Sequence, residues 1–182
     1  RDGLETAYMG EEWMSCVKAS AEAARKNGMT AYLYDEDRWP SGAAGGLVSS
    51  CGDEYRMKAL VIFLLDSAPT EEFLYSYAIA AEGTKLRSIR PFDGALQAGE
   101  RFLGFRSMVY DKCEWFNGET YSDNMNPKCV RKFLELVYDR YDRLFDGKLS
   151  KAVGGIFTDE PNIHGGRSAF TFTNGFVPWT DR

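Results

Sequence analysis

The sequence predicts an α/β protein: the N-terminal part of a TIM-type (β/α)8 barrel carrying an inserted antiparallel β subdomain. Three observations lead there. Helix, glycine and apolar strand follow one another twice, over residues 12–34 and 126–158, and acids stand at the carboxyl end of both strands. Between these stretches, residues 57–115 change period to short strands joined by tight turns, the pattern of an antiparallel sheet. A complete barrel needs ~250 residues, so 182 residues are expected to hold its first portion. The expected division is 1–56 as the first βα portion, 57–115 as the insert and 116–182 as the barrel's continuation.

The first helix is read over residues 12–27. Trp13, Cys16, Val17, Ala21 and Ala24 fall near one face, and Lys18, Glu22, Arg25 and Lys26 on the other. Asn27-Gly28 supplies the stop, glycine taking a left-handed cap at little cost. Met29 to Tyr34 then reads as a strand covered on both faces. It empties into Asp35-Glu36-Asp37-Arg38-Trp39-Pro40-Ser41-Gly42, a dense cluster of acids, one arginine and one tryptophan. The glycines that follow fit neither GxGxxG nor a Walker loop, so no phosphate cradle is expected.

Residues 60–65, 73–79 and 102–110 read as the strands of the antiparallel region, with turns near Gly83 and Gly94. Asn126-Pro127 opens the second helix, asparagine as the cap and proline at the first helical position. Val130, Phe133, Leu134, Val137, Tyr141, Leu144 and Phe145 recur at helical steps to about Asp146, and Gly147 ends the run. Val153 to Thr158 is the next buried strand. Asp159-Glu160 follow it, and Pro161 stops it by removing the next donor.

Composition narrows the function classes. The chain is 44% hydrophobic with net charge −5, enough for one well-filled core. Its mild acidity and lack of a Lys/Arg block argue against nucleic acid. No apolar run approaches the ~20 residues of a membrane span. Cys16, Cys51, Cys113 and Cys129 show no CxxC spacing, and one histidine completes no zinc set. Free thiols in a reducing, cytoplasmic compartment are expected, rather than disulfides. Neither a metal nor a cofactor is called for.

Paired carboxylates with Trp and Tyr at strand ends suit glycoside hydrolysis, where one carboxyl protonates the leaving oxygen and another acts as nucleophile or base. Glu160 is the expected proton donor, its pKa raised by burial beside Asp159. Asp35, Glu36 and Asp37 are expected to bind sugar hydroxyls, Arg38 and Trp39 to shape the pocket, and His164 to touch the ligand. Other readings stand beside these. The first acid cluster reads equally as an Asp/Glu–Arg knot fixing a loop, and Asp159-Glu160 as a solvated turn. The aromatic loops also suit a non-catalytic carbohydrate-binding module, and Asp35, Asp37 and Asp159 offer oxygen ligands for a divalent cation. Open barrel edges would favour self-association.

YLYDEDRWPSGAAGGLV, followed far downstream by GIFTDEPN, resembles bacterial glycoside hydrolases. The nearest are the α-L-rhamnosidase-like proteins of family 106 and the related β-galactosidase-type clan. The opening RDGLET…Y…EEW and the Tyr121–Pro127 segment extend the likeness over most of the chain. The resemblance implies a (β/α)8 barrel, Glu160 as acid/base, and a hydroxyl-binding role for Asp159, which stands where the clan has asparagine. It also implies a second catalytic carboxylate on a late strand that these residues do not include.

Overall fold

A computed structural model describes residues 4–163 and 175–181. The chain divides into two units: Arg1–Met57 with Asp111–Gly166, and Lys58–Tyr110 with Arg167–Arg182.

The first unit begins with α1, Glu11–Lys26. Glu11 and Glu12 in its first turn and Arg25 and Lys26 in its last complement the helix dipole. Gly28 turns left-handed at φ +70°, the Gly28 N–H reaching Arg25 O and the Met29 N–H reaching Ala24 O at 2.8 Å. This is the two-bond closure that satisfies the Ala24 and Arg25 carbonyls at the helix end. Trp13, Met14 and Val17 pack on the core, where Tyr8, Met9, Val137, Tyr141 and Val153 are buried. The Trp13 indole donates to the Tyr141 hydroxyl at 3.1 Å.

Asn126 caps α2, Pro127–Leu136, its side chain accepting from the Lys128 N–H. The single helix expected through Asp146 is interrupted. Val137, with φ −115° and ψ −67°, separates α2 from α3, Tyr138–Leu144, and a short α4 follows at Leu149–Ala152. Val137 is wholly buried, so the apolar period runs across the break without registering it.

β1 is Leu33–Tyr34 and β6 is Ile156–Phe157, paired in parallel with Leu33 opposite Ile156. The strands expected over 29–34 and 153–158 thus shrink to two residues each. Tyr32 is 70% exposed and Phe157 59%, where strands inside a parallel barrel would be covered on both faces.

The second unit is an antiparallel sheet. Its strands are β2 Lys58–Leu65, β3 Tyr75–Glu82, β4 Lys85–Pro91, β5 Arg101–Val109 and β7 Phe176–Trp179, in the order β4-β3-β5-β2-β7. Alternation along the strands turns Val61, Ala78 and Phe102 to one face, where they are buried. Edge-to-face rings cover them: Phe73 lies 4.9 Å from Phe102, and Phe92 lies 5.0 Å from it. Arg106 lies over the Phe73 ring at 4.5 Å. Gly104 makes room for this cluster, since a Cβ there would stand 2.4 Å from both Phe102 and Phe73.

The barrel expectation is therefore overturned. The described residues form an α+β arrangement, a five-stranded antiparallel sheet and a two-stranded parallel one with helices, not the first portion of a (β/α)8 barrel. The physical reason is the extent of pairing. Two helix–strand successions do meet in parallel, but over two residues only, and the longest ladders are antiparallel. Self-association argued from open barrel edges loses its premise with the barrel.

Gly104→Ala should overpack the phenylalanine cluster and destabilise the second unit by ~1–3 kcal/mol, read as a lower midpoint in urea unfolding followed by near-UV circular dichroism. An unchanged midpoint would show that the rings yield freely.

Candidate functional site

β1 ends at Tyr34 and the chain curls at once around the side chain of Glu36. This carboxylate is buried and accepts the N–H of Asp37 at 2.8 Å, Gly42 at 3.1 Å, Ala43 at 2.9 Å and Ala44 at 2.7 Å, with the Gly45 N–H closest of all. Successive N–H groups converge on one anion only in a tightly concave backbone. The curl is made by positive φ at Gly42, Ala44, Gly45 and Gly46. Gly46 has no alternative, because a Cβ there would stand 2.3 Å from the Phe116 carbonyl.

Asp35 is also buried, and three hydroxyls close around it. Ser41 donates to one oxygen at 2.7 Å, and Thr158 and Tyr138 donate to the other at 2.6 and 2.8 Å. Thr158 follows β6 directly and Tyr138 opens α3, so Asp35 ties the first loop to two later elements. Ser41 reaches across as well: its N–H donates to the Asp159 carbonyl and its hydroxyl accepts from the Asp159 N–H, both at 2.9 Å. The buried Tyr121 hydroxyl donates to Ser41 O at 2.6 Å and accepts from Asn124 Nδ2 at 2.7 Å.

The outer side of the loop is built differently. Arg38 lies over the Trp115 ring at 5.4 Å and donates through Nη1 to the Glu114 carbonyl at 3.3 Å. The Trp115 indole N–H donates to the Trp39 carbonyl at 2.6 Å. Asn117 Nδ2 donates to Asp37 Oδ2 at 2.9 Å and to Gly45 O at 2.8 Å. The turn 114–117 thus braces the loop through four hydrogen bonds. Trp39 and Trp115 remain about half exposed, 45% and 51%.

The residues singled out from the sequence separate into two groups. Asp35 and Glu36 face inward, and their oxygens hold the loop rather than face a solvent-borne hydroxyl; the knot is real, but N–H and O–H groups tie it, not Arg38. Asp37, Arg38, Trp39, Asp159 and Glu160 lie on the outside or half-buried. Tyr34 donates to Asp159 Oδ2 at 3.3 Å, and burial followed by that carboxylate pushes the tyrosine up to about 12. Glu160 corrects an expectation: it is exposed, at φ +45°, and not buried beside Asp159. Its backbone turns the side chain out past the Ser41–Asp159 bonds. His164 lies outside the described residues.

Ser41, Trp115, Asn117, Tyr121 and Tyr138 went unread. Tyr121 lay in a segment whose resemblance was noticed, and Trp115 between Glu114 and Asn117-Gly118 was a tryptophan in polar turn surroundings. A groove of about 400 Å³ opens beside the closed Asp35, walled by Phe133, Leu134, Tyr138, Thr158, Pro161 and Ile163. Among the described residues, no group of three or more His, Cys, Asp or Glu is placed to hold a metal ion. None of their helices is long and apolar enough to cross a membrane. Comparison of the chain with protein-family models, with curated proteins and with solved structures finds no match.

Burial pushes the Glu36 carboxyl from its ordinary 4.5 up to about 7, against the pull of its N–H donors toward the charged form. A carboxyl whose folded pKa is raised stabilises the fold fully below the unfolded value and loses that contribution as pH rises through the folded one. Stability should therefore fall between pH 4.5 and about 7 more steeply in the natural chain than in Glu36→Gln. Thermal melts of both across that range test it; parallel pH profiles would exclude Glu36 as the titrating group.

Proposed function

We propose that this chain acts on carbohydrate as part of a glycoside hydrolase, with Glu160 as the proton donor. One observation carries the reading. Parallel pairing of β1 with β6 brings the Asp35–Trp39 loop and the Asp159-Glu160 pair to one rim, and Ser41 locks them together through two hydrogen bonds. The exposed Glu160 is then free to meet a glycosidic oxygen, and the half-exposed Trp39 and Trp115 of the same unit offer ring surface for sugars. The likeness of YDEDRWPSG and DEPN to glycoside hydrolases supports the same assignment. A saccharide bound over Glu160 would bring its leaving oxygen within reach of the carboxyl, the geometry that general acid catalysis needs.

Asp35 and Glu36 do not supply the second carboxylate of the pair, since both are spent on the loop. Their inward position also favours the second reading, a carbohydrate-binding module in which the aromatic rim does recognition alone.

The test is turnover of aryl rhamnosides, galactosides and glucuronides by the protein, with and without Glu160→Gln. Loss of ~100-fold or more in kcat on substitution is expected of a general acid. Saccharide binding without any turnover would favour the binding module, and turnover indifferent to Glu160→Gln would remove Glu160 from the mechanism.

A further inference from the structure

We infer that Arg38, set over the Trp115 ring, is a subsite for the carboxylate of an acidic pyranose, a hexuronic acid residue. The inference deepens the carbohydrate reading above and rests on it.

The argument begins with an unbalanced charge. The first loop carries three acids and one arginine in four consecutive positions, so a salt bridge within it would be the ordinary outcome. None forms at Arg38. Asp35 is enclosed by Ser41, Thr158 and Tyr138, Glu36 by five backbone N–H groups, and Asp37 accepts from Asn117. Arg38 makes no ion pair with any described residue. Its Nη1 spends one hydrogen on Glu114 O, its Nη2 donates to no acceptor among the described residues, and its Nε lies covered with no acceptor either. A half-buried guanidinium with unmet donors and no counter-charge is costly, and such groups in folded proteins usually have a reason.

The cation is also held still. Trp115 supports its face, Glu114 O fixes one nitrogen, and the Trp115 indole is itself anchored to Trp39 O. A fixed planar guanidinium is suited to a carboxylate, which it can meet with two parallel hydrogen bonds. Two half-exposed indoles belong to the same cluster, Trp39 next in the chain and Trp115 bonded to the Trp39 carbonyl, and exposed indole surface matches the C–H face of a pyranose. Sugar face and carboxylate together describe a uronic acid; a neutral hexose would fill only the aromatic half.

Matched pairs of methyl hexosides and methyl hexuronides, gluco and galacto in both anomers, isolate the C6 carboxylate. Titrations followed by tryptophan fluorescence and calorimetry should show the uronide of at least one pair binding about tenfold more tightly than its neutral partner, a charge-assisted pair's worth. Arg38→Gln should erase that preference while a melting curve shows the fold intact, and Arg38→Lys should retain part of it. Equal affinities in the natural chain, or a preference surviving Arg38→Gln, overturn the inference. So does competition by inorganic phosphate or acetate as strong as that of the uronide, which would mark a general anion site. The glycosidase reading fails separately. Glu160-dependent turnover of neutral glycosides without uronide preference sinks only the subsite, whereas Arg38-dependent uronide binding without turnover sustains the subsite and removes the catalysis.

Discussion

The buried carboxylate of Glu36 is the constraint on which the first unit depends. Five backbone N–H groups between Asp37 and Gly45 would otherwise be buried donors without acceptors, each costing about 1–3 kcal/mol. One side chain satisfies them all, and in doing so it sets the curvature of the loop. That curvature places Ser41 against Asp159 and Tyr121, and turns Arg38 and Trp39 outward. The loop is consequently part of the core: Ala43, Ala44 and Val48 are fully buried. A loop with so little regular structure is ordinarily a surface feature; here its own carboxylate makes burial tolerable.

This inverts the usual assignment of acids at a strand end. Three adjacent carboxylates looked like a polar cluster for a ligand, yet two of them are internal struts. What they leave outside is a rim: a cation with no ion pair among the described residues, two half-exposed indoles and the exposed Glu160. Inward Asp35, Glu36 and Ser41 and the more outward Arg38 and Trp39 thus share the seven residues 35–41. A change at Glu36 would reach the rim through the backbone it curls, without touching any ligand.

How much of this was legible follows from how local each feature is. α1 was read over 12–27 and is found at Glu11–Lys26, because Asn27-Gly28 carries its own stop signal. Asn126 and Pro127 announced α2 for the same reason, cap and first-turn chemistry lying within three residues. The break at Val137 was invisible, since no Gly or Pro marks it and the apolar spacing continues. β1 and β6 were overextended: an apolar run shows what can pair, whereas ladder length depends on a partner more than 100 residues away. The barrel was inferred from two such repeats, and the repeats were too short to bear it. Nothing in Asp35-Glu36-Asp37 marks which acid turns inward, because the deciding groups are main-chain N–H donors that every sequence possesses.

The antiparallel sheet has one more property in its outermost strands. β4 at one edge bears Lys85, Arg87 and Arg90 and finishes on Pro91, and β7 at the other contains Pro178. Charges and prolines at such positions deter a foreign strand from docking edge to edge. Growth of the sheet by strand addition is thus disfavoured at both edges among the described residues.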